Sequence, residues 1–567
     1  MNESDFDEVF DLVVVGSGGG SMCAALVARA AGKSVVILEK AELVGGTTAM
    51  SGGVMWIPNN RFMKDAGCTD SSESAMAYLE ATAGQSVDAP GTSRERRAAY
   101  VNEAPKMVDF LVSQGIKLRR VDSWPDYYDE RPGGSVPGRT VIAEIFDVNE
   151  LGDWKLKLRS GFMAVPAYHS EAFEISTMRS SWHGKLALIK VVCRMGFSKL
   201  RGQQLVSFGR ALQARMLQKA LQLGADIRIN SPVRSFIVQD GTVSGVAVGA
   251  PGSERRIGAR LGVLVNAGGF ARNQDMRDKY IPGTSSTWTA ASSGDTGEIL
   301  RELMSLGAAT GQLNELIGNQ VSLPPGRENG PGKEMNLSLT SSQMDFTKPH
   351  SVVVDQSGCR YMNEAGSYVQ FCQNMLARHK SVPAVPSWWI FDQQFMRKYM
   401  VGGTMPGTKK PQSWFDAGYL KKADSIEELA GLIKVNPAVL RASTQRFNEG
   451  AKIGRDEEFK RGQRAYDEWL GDHYHRPSQT LGPVEQPPFY AAPVVPGDVG
   501  TFGGVVTDAF ARVLRGDGTP IKGLYATGTT TASVMGRVYA GAGSSIGPSF
   551  VWGYVAARQA VADAGAA

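Results

Sequence analysis

Cysteine is scarce in this chain. Cys23, Cys68, Cys193, Cys359 and Cys372 stand far apart, and none forms C-x-x-C. An odd, sparse set makes no disulfide framework and points to a reducing compartment, the cytoplasm. No run of about 18 apolar residues exists, so no helix is expected to span a bilayer. The N-terminus, MNESDFDEVFDLVVVG, is acidic and lacks the basic and apolar regions of a signal peptide. Histidine is rare, and the pair His473 and His475 supplies only two ligands, which make no metal site. Excess charge is missing too: 61 Lys+Arg against 56 Asp+Glu leave +5 over 567 residues. With no basic block, zinc finger, RNP or KH pattern, nucleic acid is not an expected partner.

Glycine, in contrast, is abundant, at 66 residues. It lets backbone approach a ligand closely, so a bulky cofactor is the first expectation. FDLVVVGSGGGSMCAALVARAAGKSVVILEK reads as strand, glycine turn, helix and strand. Gly16, Gly18, Gly19 and Gly20 nearly complete G-x-G-x-x-G, with Ser21 in the third glycine's place. The turn follows a buried strand and opens a helix whose free N–H groups can hold pyrophosphate. Glu39 ends the second strand, where a carboxylate can bind ribose hydroxyls. A second glycine-rich stretch, GGTTAMSGG, follows, and GLYATGT near the C-terminus is another strand leading into a glycine turn. A nicotinamide enzyme needs only the first motif, whereas a flavin dinucleotide needs a second for its ribityl and isoalloxazine half.

Asp240-Gly241 is a hairpin signal. Between about 281 and 483 the texture changes, with more Met, Asn, Gln and Trp, and from about 503 β character returns before a closing helix from Pro548. The fold class expected is α/β: a Rossmann-like FAD-binding domain in two segments, 1–284 and 484–567, around an inserted α+β substrate domain, 285–483. Residues 154–205 read as a helical insert in the first segment.

These segments, with VNAGGF, resemble the flavin-dependent fumarate reductase and succinate dehydrogenase superfamily. YMNEAGSYVQF, PPFYAAPVVPGDVGTFGG and SVMGRVYAGAGSSIGPSFVWGYVAA resemble, more narrowly, the bacterial 3-ketosteroid Δ1-dehydrogenases. The resemblance implies FAD. Its contacts would be Gly16, Gly18, Gly19, Gly20, Glu39 and Lys40, then Gly46, Thr47, Thr48, Ser51, Gly52 and Gly53. Ala267, Gly268, Asp295, Gly528, Ser545 and Ile546 would complete the set. Covalent-flavin members carry a histidine near the GGTTA loop; this loop has none, so noncovalent FAD is expected. The block RVYAGAGSSIG replaces the His- and Arg-bearing pattern that fumarate-type enzymes use to grip a dicarboxylate.

The implied reaction takes a proton from C2 and a hydride from C1 of a 3-ketosteroid, the hydride passing to flavin N5. The C2 proton leaves only if charge developing on the C3 oxygen is stabilised. By the resemblance Tyr539 supplies a hydroxyl and Gly543 a backbone N–H to that oxygen. Tyr368 is the base, and Tyr127 its partner; the adjacent Tyr128 is the alternative, and strand-like alternation would point the two rings apart. Ala540 and Ala542 replace prolines usual in the family, so the loop is expected to be less rigid. Gly541 stands where the related Δ4-dehydrogenases carry serine, which favours Δ1 chemistry. The rivals are a Δ4-dehydrogenase or other enone reductase, and a flavin- or sterol-binding protein without turnover. An external electron acceptor is implied.

Residues 181–205 combine Lys185, Lys190, Arg194, Lys199 and Arg201 with Leu186, Leu188, Ile189, Val191, Val192 and Met195. A core-packed helix with a solvated basic face is the simpler expectation. A peripheral contact with an anionic membrane is the alternative.

Overall fold

The computed structural model describes residues 2–84, 89–161, 163, 165–250, 252–330 and 333–565. Four consecutive apolar residues, Leu12 to Val15, make the end of β1 (Glu8–Val15) suited to burial on both faces. The glycine turn leads into α1 (Gly19–Ala30), and β2 (Val35–Leu38) returns parallel to β1. β3 (Asp226–Arg228) adds outside β2, while β4 (Arg255–Val265) and β5 (Pro520–Ala526) add on the other side of β1. The parallel order is β5-β4-β1-β2-β3, with Arg512–Leu514 antiparallel at one edge. A hairpin, Val233–Gln239 and Thr242–Val248, pairs with β4 and turns at Asp240-Gly241, both at positive φ.

The register brings the strand ends level. Val15 lies beside Leu38 and Val265, Leu38 beside Arg228, and Val265 beside Ala526. Ligands of open parallel sheets bind beyond such carboxyl ends. α1 is held there by the closing helix. Gly19 and Gly20 lie so close to it that a Cβ would stand 2.1 Å from the Phe550 ring and 2.4 Å from the Ser549 carbonyl.

The helical insert contains α2 (His169–Ser176) and α3 (Trp182–Leu200). α3 departs from the core-packed expectation, because only Gly184, Val191 and Ser198 are buried. In the second domain an antiparallel sheet runs Ser351–Val354, Ser387–Phe391, Phe489–Val494, Lys421–Ala423. Its third strand lies beyond 483, so the sheet passes the boundary expected from composition. That boundary followed polar texture, whereas cross-strand pairing carries the chain on to Val494. α4 (Tyr368–His379) belongs to this domain, and α5 (Ile546–Gly565) closes the first, starting two residues before Pro548. All five cysteines are free. Among the described residues no helix is long and apolar enough to cross a membrane, and no metal-binding cluster occurs.

Candidate active site

A cleft of about 580 Å³ opens at the carboxyl ends of β1, β2 and β4 and extends to the second domain. Its nucleotide end is walled by Gly16, Gly18, Glu39, Lys40, Gly46, Thr47, Thr48, Ser51 and Gly52. Ala267, Gly268, Asp295, Gly528, Ser545 and Ile546 line it as well. Gly19, Gly20 and Gly53 do not. The first two are spaced for α5, and Gly53 for the Phe208–Gly209 backbone, 2.4 Å from where its Cβ would stand. Close packing accounts for the absence of a side chain at these three positions.

Glu39 faces the cleft with its oxygens already engaged. Oε2 accepts from the Ser17 N–H at 3.1 Å and the Ser17 hydroxyl at 2.5 Å, and Oε1 from the Ala41 N–H at 2.9 Å. Lys40 pairs with Glu298 at 2.9 Å. Asp295 is different. It is buried, its Oδ1 has no partner among the described residues, and burial pushes its carboxyl up to about 6. Gly268 leaves room beside it, since a Cβ there would stand 2.4 Å from Oδ1. A polyhydroxylated chain lying in this gap would satisfy the orphaned oxygen. These residues therefore fit a flavin dinucleotide.

At the other end three phenols meet. The Tyr539 ring is 5.2 Å from Tyr368 and 5.8 Å from Tyr127, and Tyr127 is 5.5 Å from Tyr368. All three line the cleft and are buried or nearly so. Burial pushes the Tyr368 and Tyr127 hydroxyls well above 10. It also raises Tyr539, against hydrogen bonding from Ser545, from Tyr368 and from the N–H groups of Ser545 and Gly543. The Tyr539 hydroxyl lies 3.0 Å from Ser545 Oγ. The phenol thus stands at the N-terminus of α5, with the backbone of Gly543 and Ser545 beside its hydroxyl. Gly543 has φ +96° and lies against the strand Val54–Trp56, where its Cβ would stand 2.5 Å from the Val54 carbonyl. Only glycine brings its amide this close.

Tyr127 sits in a turn rather than a strand, yet its ring and that of Tyr128 diverge. Tyr127 enters the cleft; Tyr128 stacks under Arg131 at 5.0 Å and is absent from the cleft wall. The loop at 537–545 is tied down although it lacks prolines. The Ala540 carbonyl accepts from the Tyr127 N–H at 3.0 Å and the Tyr78 hydroxyl at 2.5 Å. Asp126, next to Tyr127, accepts from Trp56 Nε1 at 2.7 Å and pairs with Arg139 at 2.6 Å. These contacts tie the loop to Tyr78 and to the segment that carries Tyr127. Tyr368 opens α4 after a loop anchored by fully buried Glu364, which pairs with Arg360 at 2.8 Å.

Several wall residues carried no motif in the sequence. Tyr466 lies 4.2 Å from Tyr127, and Trp124, His169, Phe173 and Leu470 complete an apolar wall. Asn266, the residue after β4, was findable as the first one past a buried strand.

The FAD binding domain family matches residues 11–546. Over 572 residues the chain is 36% identical to a 3-oxosteroid 1-dehydrogenase of Mycobacterium tuberculosis, covering 98% of this chain and 99% of that one. It is 33% identical to a 4-oxocyclohex-2-ene-1-carboxylate 5-dehydrogenase of Sinomonas cyclohexanicum, covering 97% and 93%. The structure of 3-ketosteroid Δ1-dehydrogenase from Sterolibacterium denitrificans, in complex with 1,4-androstadiene-3,17-dione, superposes with a TM-score of 0.90 at 34% identity, covering 98% of this chain and 100% of that chain.

Proposed function

The chain belongs to the FAD-binding flavoprotein family, and from that premise we propose that it is an FAD-dependent 3-ketosteroid Δ1-dehydrogenase. It converts 3-ketosteroids to their 1,2-dehydro products, 4-ene-3-ones giving 1,4-diene-3-ones. One observation carries the reading: Tyr539 and Tyr368 meet on the wall of a cleft that continues into a dinucleotide site, with the Gly543 amide, itself not on that wall, in reach of the Tyr539 hydroxyl. Relatives named for oxocyclohexane carboxylates dehydrogenate small charged ketones. Here Arg159 on the wall is already paired with Glu334 at 2.6 Å, and the neighbouring wall is aromatic and apolar, which suits a sterol skeleton better.

Tyr539 and Gly543 donate to the C3 oxygen and stabilise the negative charge that grows there as C2 loses its proton. Each such donor is worth roughly 10²–10³ in rate. Tyr368 takes the C2 proton. Burial keeps its own proton bound in the free protein, so it must hand that proton on as it accepts another. Tyr127 and then Tyr466, whose rings follow at 5.5 and 4.2 Å, form the path by which that proton passes on to solvent water. FAD, when bound, supplies the acceptor for the hydrogen leaving C1 with its electron pair, and an external acceptor reoxidises it. Glu39, Thr47, Thr48 and Asp295 hold the cofactor. The first α5 turn adds its positive end.

Attachment is noncovalent, since the 45–53 loop has no histidine and His169, beside Gly52, is boxed in by Trp124 and Phe208. Acid precipitation should leave the yellow colour in the supernatant; colour in the pellet would refute this. α3 makes a peripheral contact with anionic membrane. Trp182, Leu186, Ile189, Val192, Phe197 and Leu200 are exposed on it, Leu200 to 85%, beside Lys185, Lys199 and Arg201. Such a face inserts into a headgroup layer. Wild type should float with anionic liposomes and the double variant Lys185→Glu/Lys190→Glu should not; equal flotation refutes the contact.

Anaerobic titration tests the activity. A 4-ene-3-one should bleach the bound flavin. Bleaching by a 5α-saturated ketone alone would indicate Δ4 chemistry, and none with any steroid a binding protein without turnover.

A further inference from the structure

Beyond Tyr127 the cleft wall is built largely from apolar and aromatic side chains, Trp124, Met163, Phe173 and Phe208 among them. His169 stands within this wall. Its ring lies 4.6 Å from Phe208, edge-on, and 5.5 Å from Trp124. Only 7% of the residue is exposed; the Gly52 backbone lies beside the ring, but among the described residues neither Nδ1 nor Nε2 makes a hydrogen bond of good geometry. Burying an imidazole with both nitrogens unmet is costly. A phenylalanine would fill the same place without that cost.

The orientation is built in. His169, Ala172 and Phe173 share one face of α2, and all three line the cleft. Glu171 pairs with Arg194 at 2.7 Å and accepts from the Tyr168 N–H at 2.9 Å, fixing the start of the helix. Burial lowers the His169 ring to about 4, so at neutral pH it offers one N–H donor and one lone pair. The donor suits a ketone and the lone pair a hydroxyl. Tyr127 and Trp124 lie three residues apart on one loop. Tyr127 lies beside Tyr539 and Trp124 beside His169, and all four line the same cleft.

We propose, resting on the 3-ketosteroid reading above, that His169 is a specificity residue whose imidazole hydrogen-bonds a ketone or hydroxyl carried by the steroid at the end remote from ring A. The ring contributes to the affinity for oxygenated substrates and takes no part in the chemistry at C1 and C2.

The test uses FAD-loaded protein and three probes: 4-androstene-3,17-dione, its 17β-hydroxy analogue, and 4-androsten-3-one, which lacks oxygen at C17. Dissociation constants and limiting rates of flavin reduction are measured anaerobically. His169→Phe should lower the preference for the two oxygenated probes by roughly 5- to 30-fold. Its limiting reduction rate with 4-androsten-3-one should stay within threefold of wild type. His169→Gln, which keeps a donor and an acceptor, should retain part of the preference. A folded, flavin-loaded His169→Phe with wild-type discrimination overturns the proposal. So does a shifted flavin spectrum with unchanged discrimination, which would set the ring against the cofactor. If His169→Phe does not fold, loss of part of the preference in His169→Gln supports the proposal and full wild-type discrimination overturns it. If no steroid bleaches the wild-type flavin, the dehydrogenase reading fails by itself, and equilibrium binding of the same probes still decides the role of His169.

Discussion

Gly543→Ala perturbs the site at the point where backbone chemistry and space are most tightly joined. The new Cβ would stand 2.5 Å from the Val54 carbonyl oxygen and 2.6 Å from both Met55 N and Met55 Cα, all backbone atoms that cannot swing aside. At φ +96° an alanine also carries strain, about 1–3 kcal/mol. Relief requires the 537–545 loop to move off the Val54–Trp56 strand. That movement endangers two bonds to the Gly543 carbonyl, from Trp56 N at 3.2 Å and Gly547 N at 2.8 Å, each worth about 1 kcal/mol. The expected destabilisation is therefore about 4 kcal/mol, seen as a lower Tm of the flavin-loaded protein. The chemical effect is larger. With the amide displaced from the C3 oxygen, flavin reduction should slow roughly 10²–10³-fold. Steroid affinity should change little, because the donor acts mainly on charge that develops during reaction. Anaerobic stopped-flow with a 4-ene-3-one reads both quantities. A loaded variant whose limiting reduction rate stays within threefold of wild type would refute the role given to the amide.

Other substitutions separate the remaining parts. Tyr127→Phe should slow turnover by about 10-fold or more through loss of a proton path, while Tyr128→Phe, outside the cleft, should stay within twofold; the reverse order in steady-state kcat would exchange their roles. Asp295→Asn should raise the Tm of flavin-free protein, because a buried carboxylate with an orphaned oxygen is costly, yet lower flavin occupancy measured from the absorbance ratio; unchanged occupancy would remove Asp295 from the cofactor site. His169 gives a pH signature. Its folded value of about 4 lies below the ordinary 6.5, so its contribution to stability is present above 6.5 and lost as pH falls toward 4. Relative to His169→Phe, wild type should lose roughly 3 kcal/mol across that window. Asp126 and Asp295, raised to about 6, act in the opposite direction, so the difference between the two proteins is the readout. Parallel unfolding curves at pH 7 and pH 4 would contradict it.

Legibility in the sequence followed locality. The β1–α1–β2 unit, the Asp240-Gly241 hairpin and the 537–545 loop are set by neighbours within a few residues, and their patterns showed. The wall of the cleft is assembled from afar: Trp124 and Phe173 meet Trp469 at 4.5 and 4.0 Å across some 300 residues of chain. No local period marks such residues. Tyr466 was hidden for the same reason, in a short helix with no motif of its own. Texture misled twice. The polar stretch ending near 483 concealed a sheet whose third strand follows it. α3 read as an ordinary packed amphipathic helix, and its apolar face is exposed. Composition cannot say which face of a helix finds a partner. The glycines carry more than the motif shows: Gly19 and Gly20 sit in a nucleotide motif, and their missing side chains also make room for α5.

The central claim is that the ketone oxygen is held by one hydroxyl and one amide. Isotope-edited infrared spectroscopy tests it most directly, with a 3-¹⁸O-labelled 4-ene-3-one bound to enzyme whose flavin is already reduced. The C3 carbonyl stretch should fall well below its value in aprotic solvent, and about half of that shift should vanish in Tyr539→Phe. A wild-type band at the aprotic-solvent position, or a shift that Tyr539→Phe leaves untouched, would contradict the account.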